Sequence, residues 1–102
     1  MSVQKITNEN FNAIKNQNKP ILLDFYADWC GPCRMVGPII EEIANERDDI
    51  IVGKINVDQN PDLAAAFGVS TIPTLVVIKN GEIVNRSAGA RPKPQILALL
   101  EV

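Results

Sequence analysis

Three short apolar runs, residues 21–27, 50–57 and 74–78, alternate with stretches of helical period, and this alternation limits the possible folds more than any other feature. Runs this short and this apolar read as strands buried on both faces, although Asp24 interrupts the first and Lys54 the second. After Cys33, the residues Met35, Val36, Ile39, Ile40, Ile43 and Ala44 fall on one face of a helix, and Glu41, Glu42, Asn45 and Glu46 fall on the other. Pro38 lies inside this pattern and predicts a kink there. Strands that alternate with helices argue for an α/β fold whose mainly parallel sheet is covered on both faces.

Caps and turns supply the remaining elements. Asn60 is placed to cap a short helix that starts at Pro61 and ends near Gly68. Asn80-Gly81 is a strong two-residue hairpin signal, so residues 82–87 should return antiparallel to the third run and add one antiparallel strand at the end. Arg91-Pro92-Lys93-Pro94 leads into a last helix through Leu100, with Ile96, Leu97, Leu99 and Leu100 facing inward. Residues 3–6 read as a weak first strand, and Thr7 or Asn8 as the cap of a helix through Phe11 and Ile14. The predicted order is β-α-β-α-β-α-β-β-α, with no internal repeat or linker.

A chain of 102 residues suggests one domain, 1–102, which buries roughly two-thirds of its unfolded surface. Ten basic residues against twelve acidic ones leave a net charge of −2, and no long basic cluster or aromatic series supports nucleic-acid binding. No apolar run approaches the ~20 residues that span a membrane. The N-terminal sequence MSVQKITNENF has no signal-like apolar core. A monomer in the cytoplasm is expected.

The only two cysteines, Cys30 and Cys33, stand in the segment DWCGPC. Two cysteines are too few for a disulfide scaffold, and in a reducing compartment so close a pair points to catalysis or metal binding. Zinc needs four ligands, and this chain has no histidine and no third cysteine, so no metal is expected. Cys30 follows a strand and opens a helix, whose unpaired N–H groups and positive end favour a thiolate. The thiolate is the species that attacks disulfides. Cys33 lies one turn later and faces the interior, where it would act as an intramolecular attacker at high effective concentration. Pro32 suits the first helical turn and, with Gly31, should tune the balance between dithiol and disulfide. The alternative is a pair of inert, buried cysteines, which is weak for WCGPC at a strand-to-helix junction.

These residues carry a resemblance. DFYADWCGPCRMVGPIIEEIA is similar to the active-site strand and helix of the thioredoxin family. The match continues through KINVD at residues 54–58, STIPT at 70–74, the turn at Asn80 and SAGA at 87–90. The resemblance implies the thioredoxin fold, a central mixed five-stranded sheet flanked by four helices. It implies a protein-disulfide reductase that works by reversible Cys30–Cys33 disulfide formation and has no cofactor of its own. Its partners would be disulfide-containing proteins and a thioredoxin reductase or a ferredoxin-linked equivalent.

The resemblance also implies roles for single residues. Asp24 would be the buried carboxylate beneath Cys33 and its general base, and Lys54 would partly offset its charge. A strand-end carboxylate in water and a snorkelling lysine are the plainer alternatives. Ile72-Pro73 would be a cis-proline segment, with the Ile72 backbone pairing to an extended substrate strand. Trp29, Gly31, Pro32, Ile72, Gly89 and Ala90 would form an apolar docking patch. Four positions depart from the common pattern: Tyr26 replaces a frequent tryptophan, Arg34 a lysine, and Ser70-Thr71 an Arg-Gly pair. Thr71 adds bulk beside the substrate groove and bears on partner choice. The rival readings are a disulfide isomerase or oxidase, against which Pro32 argues, and a subunit that mainly docks a partner.

Overall fold

The computed structural model describes residues 3–102. Its elements are β1 (Gln4–Lys5), α1 (Phe11–Lys15), β2 (Ile21–Tyr26), α2 (Gly31–Glu46), β3 (Ile51–Asn56), α3 (Pro61–Ala66), β4 (Thr74–Lys79), β5 (Glu82–Ala88) and α4 (Lys93–Leu99). The strands form one five-stranded mixed sheet in the order β1-β3-β2-β4-β5.

The apolar runs become the central strands because every residue from Ile21 to Phe25 and from Thr74 to Ile78 is buried. Side chains alternate between the two faces of each strand. Ile21, Leu23 and Phe25 pack with Ile14, Leu63 and Ala64 on the side covered by α1 and α3. Leu22, Val52, Leu75 and Val77 pack with Val36, Ile40, Ile43, Ile96 and Leu100 on the side covered by α2 and α4. Asp24 and Lys54 lie on this second side, two residues along from Leu22 and Val52.

One pairing differs from the pattern-based expectation. β1 and β2 run parallel to β3, but β4 runs antiparallel to β2, and β5 is antiparallel to β4. The connection, residues 57–73, returns the chain to the end of the sheet where β3 finishes: Asn56 is paired with Tyr26, and Thr74 at the start of β4 is paired with Phe25.

The local signals behave as their chemistry requires, with differences of detail. Asn80 and Gly81 both have positive φ, 54° and 80°, as a tight hairpin turn between β4 and β5 needs. Pro61 opens α3, but the side chain of Asn60 makes no cap; it accepts from the Asn8 N–H and donates to the Asn56 carbonyl. Thr7 and Asn10 brace the turn before α1: Thr7 Oγ1 accepts from the N–H groups of Glu9 and Asn10, and Asn10 Oδ1 accepts from the Thr7 N–H. The helix itself begins only at Phe11. α2 continues across Pro38, which has no N–H to offer the Arg34 carbonyl. Met35 leaves the predicted apolar stripe: it is 70% exposed, while Val36, Ile40, Ile43 and Ala44 are buried.

Candidate active site

β2 ends at Tyr26, and a turn closed by the Cys30 N–H on the Ala27 carbonyl (3.2 Å) delivers the chain to α2. Cys30 is the N-cap of that helix, with extended backbone (φ −86°, ψ 112°). Its Sγ accepts from the Cys33 N–H at 3.2 Å, so sulfur takes the place that a serine or aspartate oxygen usually fills. Gly31 and Pro32 are exposed in the first turn, where the missing N–H of proline leaves nothing unpaired.

Cys30 and Cys33 are joined as a disulfide, with Cα atoms 5.3 Å apart. Both are nearly buried, 4% and 5% exposed. The inward-facing Cys33 was expected, and the equal burial of Cys30 was not. The cover comes from Ala27 together with Tyr26, Val57 and Ile72, which pack on the pair. The two sulfurs differ in what they face. Cys30 Sγ lies 3.8 Å from the Ile72 carbonyl oxygen. Cys33 lines a cavity of about 130 Å³ together with Asp24, Tyr26, Gly37, Ile40 and Lys54.

Asp24 reaches this cavity from the middle of β2. It is buried, and its Oδ1 has no hydrogen-bond partner. Burial pushes its carboxyl from 3.8 up to about 7, and the positive charge of Lys54 pulls the other way. Lys54 is the register partner of Asp24 on β3, and its Nζ sits 5.8 Å from the centre of the Tyr26 ring. The half-buried lysine thus stands over an aromatic face. The cavity is polar at one wall and large enough for water, which needs at least ~10–15 Å³ and hydrogen-bonding partners.

The Ile72–Pro73 bond is cis, and the next residue, Thr74, starts β4 with its hydroxyl donating to the Thr71 carbonyl. The Thr71 side chain is exposed at the rim. Gly89 closes the far side: its N–H donates to the Pro73 carbonyl at 2.7 Å, in a backbone with φ 90° that side chains rarely adopt. Ala90 is half-buried behind it. The sheet topology thus gathers the expected residues from three elements: Trp29 to Cys33 from the start of α2, Ile72-Pro73 from the start of β4, and Gly89-Ala90 from the end of β5.

Asp58 and Arg34 also join the site; Asp58 did not stand out in the sequence, and Arg34 stood out only as a departure from the family pattern. Trp29 is 69% exposed, yet its Nε1–H donates to Asp58 Oδ2 at 2.8 Å. Asp58 is held by the buried Asn56, whose Oδ1 accepts from the N–H groups of Asp58 (2.9 Å) and Gln59 (3.3 Å). The signal was the segment NVDQNP after a strand, which reads as a plain turn. Arg34 Nη2 donates to the Asp28 carbonyl at 2.9 Å and braces the turn before Cys30.

Among the described residues there is no group of three His, Cys, Asp or Glu that could hold a metal, and no helix is long and apolar enough to cross a membrane. A helix-capping dithiol pair over a buried carboxylate is an arrangement for thiol–disulfide exchange.

Comparison with known proteins agrees with this chemistry. The thioredoxin family model matches residues 2–102. The thioredoxin of Pyropia yezoensis is 48% identical over 102 residues, covering 98% of this chain and 95% of its own. Thioredoxin 2 of Chlorobaculum tepidum is 46% identical over 97 residues, covering 93% and 89%. The thioredoxin of Mycobacterium tuberculosis is 48% identical over 95 residues, covering 91% and 82%. With its cysteine pair closed as a disulfide at the head of α2, the chain belongs to the thioredoxin family and is a protein dithiol–disulfide oxidoreductase.

Proposed function

We propose that the chain works in the reducing direction, as a cytoplasmic electron carrier that opens the disulfides of other proteins. The observation that carries this reading is the placement of the pair: Cys30 at the N-cap of α2, and Cys33 over the Asp24 cavity. In the reduced protein the helix end favours the Cys30 thiolate. That thiolate attacks one sulfur of a substrate disulfide. A Cys30–substrate bond forms, and the other substrate sulfur leaves as a thiolate that takes up a proton.

Cys33 then gives its proton to Asp24 across the cavity and attacks Cys30 Sγ. The substrate's remaining sulfur leaves and is protonated. The substrate has gained two electrons and two protons, and the Cys30–Cys33 disulfide is restored. Lys54 limits the cost of charging Asp24. The main-chain groups of Ile72 hold the substrate as an added strand beside Cys30, and Trp29, Gly31, Pro32, Pro73, Gly89 and Ala90 supply the apolar surface around it. Thr71 borders this surface and restricts which partners fit.

The chain has no flavin or nicotinamide motif, so a separate reductase must return the two electrons. Thioredoxin reductase or a ferredoxin-linked enzyme suits that role. A single 102-residue domain acting as a monomer, with no nucleic-acid or membrane partner, completes the reading.

The test is the reduction potential of the pair, followed through Trp29 fluorescence in graded thiol buffers. The chain has one tryptophan, and it adjoins Cys30, which makes the signal specific. A value at the reducing end of the thioredoxin range supports a donor of electrons. A distinctly oxidising value turns the reading to disulfide formation or isomerisation.

A further inference from the structure

Met35 belongs by period to the apolar face of α2, yet the core does not take it. It borders an open groove of about 280 Å³ whose other walls are Val36, Ile39, Ala90, Arg91 and Pro92. The lining is apolar except for Arg91. The Arg91 guanidinium folds back along the chain: Nη1 donates to the Ala90 carbonyl at 3.2 Å and lies 3.4 Å from where a Cβ on Gly89 would stand. It has no carboxylate partner among the described residues, whereas Arg47 has one and Lys93 has two.

This groove is continuous with the dithiol. Ile72 lies against Cys30, Pro73 is bonded to Gly89, and Ala90 is a wall of the groove. A polypeptide laid along Ile72 beside Cys30 meets Gly89 next and then the gap between Met35 and Ala90. We propose that the groove is a second contact for the disulfide-bearing substrate: an apolar side chain near the substrate's cysteine enters between Met35, Ile39, Ala90 and Pro92, and Arg91 selects a neighbouring carboxylate. The inference rests on the oxidoreductase reading and adds a preference for acidic–apolar segments. Two physical terms would produce it. An apolar side chain loses its water in the groove, and an unpaired guanidinium at the rim attracts a carboxylate and repels a cation.

The experiment uses the reduced full-length protein and single turnovers. The probes are four peptides that share one intramolecular disulfide and carry Leu-Glu, Leu-Lys, Ser-Glu or Ser-Lys beside one cysteine. Hydroxyethyl disulfide, too small to reach the groove, reports the dithiol alone. The wild type should reduce Leu-Glu about fivefold faster than Leu-Lys at low salt, a difference that shrinks as salt rises. It should reduce Leu-Glu about tenfold faster than Ser-Glu. Arg91→Glu should invert the Glu–Lys preference, and Met35→Ser should remove most of the Leu–Ser preference.

Failure to reduce hydroxyethyl disulfide would overturn the oxidoreductase reading itself. Normal reduction of that probe with equal rates for all four peptides overturns the groove proposal alone. So does a wild-type preference that survives both substitutions. If Met35→Ser instead changes the sedimentation coefficient of the free protein and leaves the peptide ratios intact, the groove is a self-association surface, and the proposal falls.

Discussion

Asp24 and Lys54 stand opposite each other in register on β2 and β3, yet Asp24 Oδ1 is left without a hydrogen bond. Burial is the stronger influence on the carboxyl and the lysine charge the weaker, so its titration moves up to about 7. Between pH 3.8 and about 7 the folded protein holds a proton that the unfolded chain has lost. Stability therefore falls as pH rises through that window, and the full cost is present above it. Asp24→Asn should stabilise the oxidised protein at alkaline pH by up to about 4 kcal/mol, with a smaller gain near pH 5. Denaturant melts at the two pH values measure this. A gain that does not grow with pH would contradict the buried-carboxylate account.

The same substitution should damage turnover while it stabilises the fold. Proton transfer from Cys33 needs ionised Asp24, so the resolving step should speed up as pH rises through about 7. Asp24→Asn should slow that step by about 10²-fold and remove the rise. Lys54→Met removes a charge that lowers the Asp24 titration, and should shift the rise to higher pH. Rapid mixing of the mixed disulfide across a pH series reads both effects.

The two cysteines should fail in different ways. Cys30→Ser has no attacking sulfur and should form no adduct with a substrate. Cys33→Ser should form the mixed disulfide on Cys30 and hold it, visible as a stable covalent complex by mass spectrometry. The double serine variant separates chemistry from docking. Retained disulfide reduction in that variant would end the dithiol mechanism.

Trp29 is exposed but tethered through Nε1 to Asp58. Asp58→Ala should free the indole. Time-resolved anisotropy of Trp29 should show faster local motion, and reduction of peptide disulfides should slow more than reduction of hydroxyethyl disulfide. Because the bond is exposed, global stability should change by less than about 1 kcal/mol. Unchanged anisotropy would mean that the tether does not order the ring.

Two glycines should respond in opposite directions to alanine. A Cβ on Gly53 would stand 2.1 Å from Ile6 Cδ1, and Ile6 is fully buried with nowhere to move. Gly53→Ala should cost about 1–3 kcal/mol. Gly37 lies inside α2 with open space where its Cβ would point. Gly37→Ala should stabilise by about 0.5–1 kcal/mol. Thermal melts of the two variants side by side make the comparison.

Element types were readable where chemistry is local. The runs around Leu23, Val52 and Val76 are apolar because both of their faces are covered, and Pro61, Asn80 and Gly81 mark their turns by φ alone. The direction of β4 was not readable, because it depends on the end of the sheet to which residues 57–73 return the chain rather than on the residues of β4. The start of the first helix was blurred because Thr7 and Asn10 brace each other through side chains that propensity does not register. At the site, Cys30, Cys33 and Asp24 were legible: paired cysteines at a helix start and an acid in an apolar strand have few explanations. Asp58 was hidden among ordinary turn residues, since its partner Trp29 lies 29 positions away. Met35 was misplaced because periodicity gives a direction on the helix but not the width of what covers it.

Because β4 enters beside Phe25 and leaves beside Ile21, the sheet has a working edge and an idle one. Cys30, Ile72 and Gly89 crowd the first, and the Asn80-Gly81 turn marks the second, some twenty ångströms of strand away. Cargo can thus be hung on the idle edge without passing near the sulfurs. A module inserted between Asn80 and Gly81 would leave the dithiol in place, so the chain could be carried as a redox-active passenger on another protein.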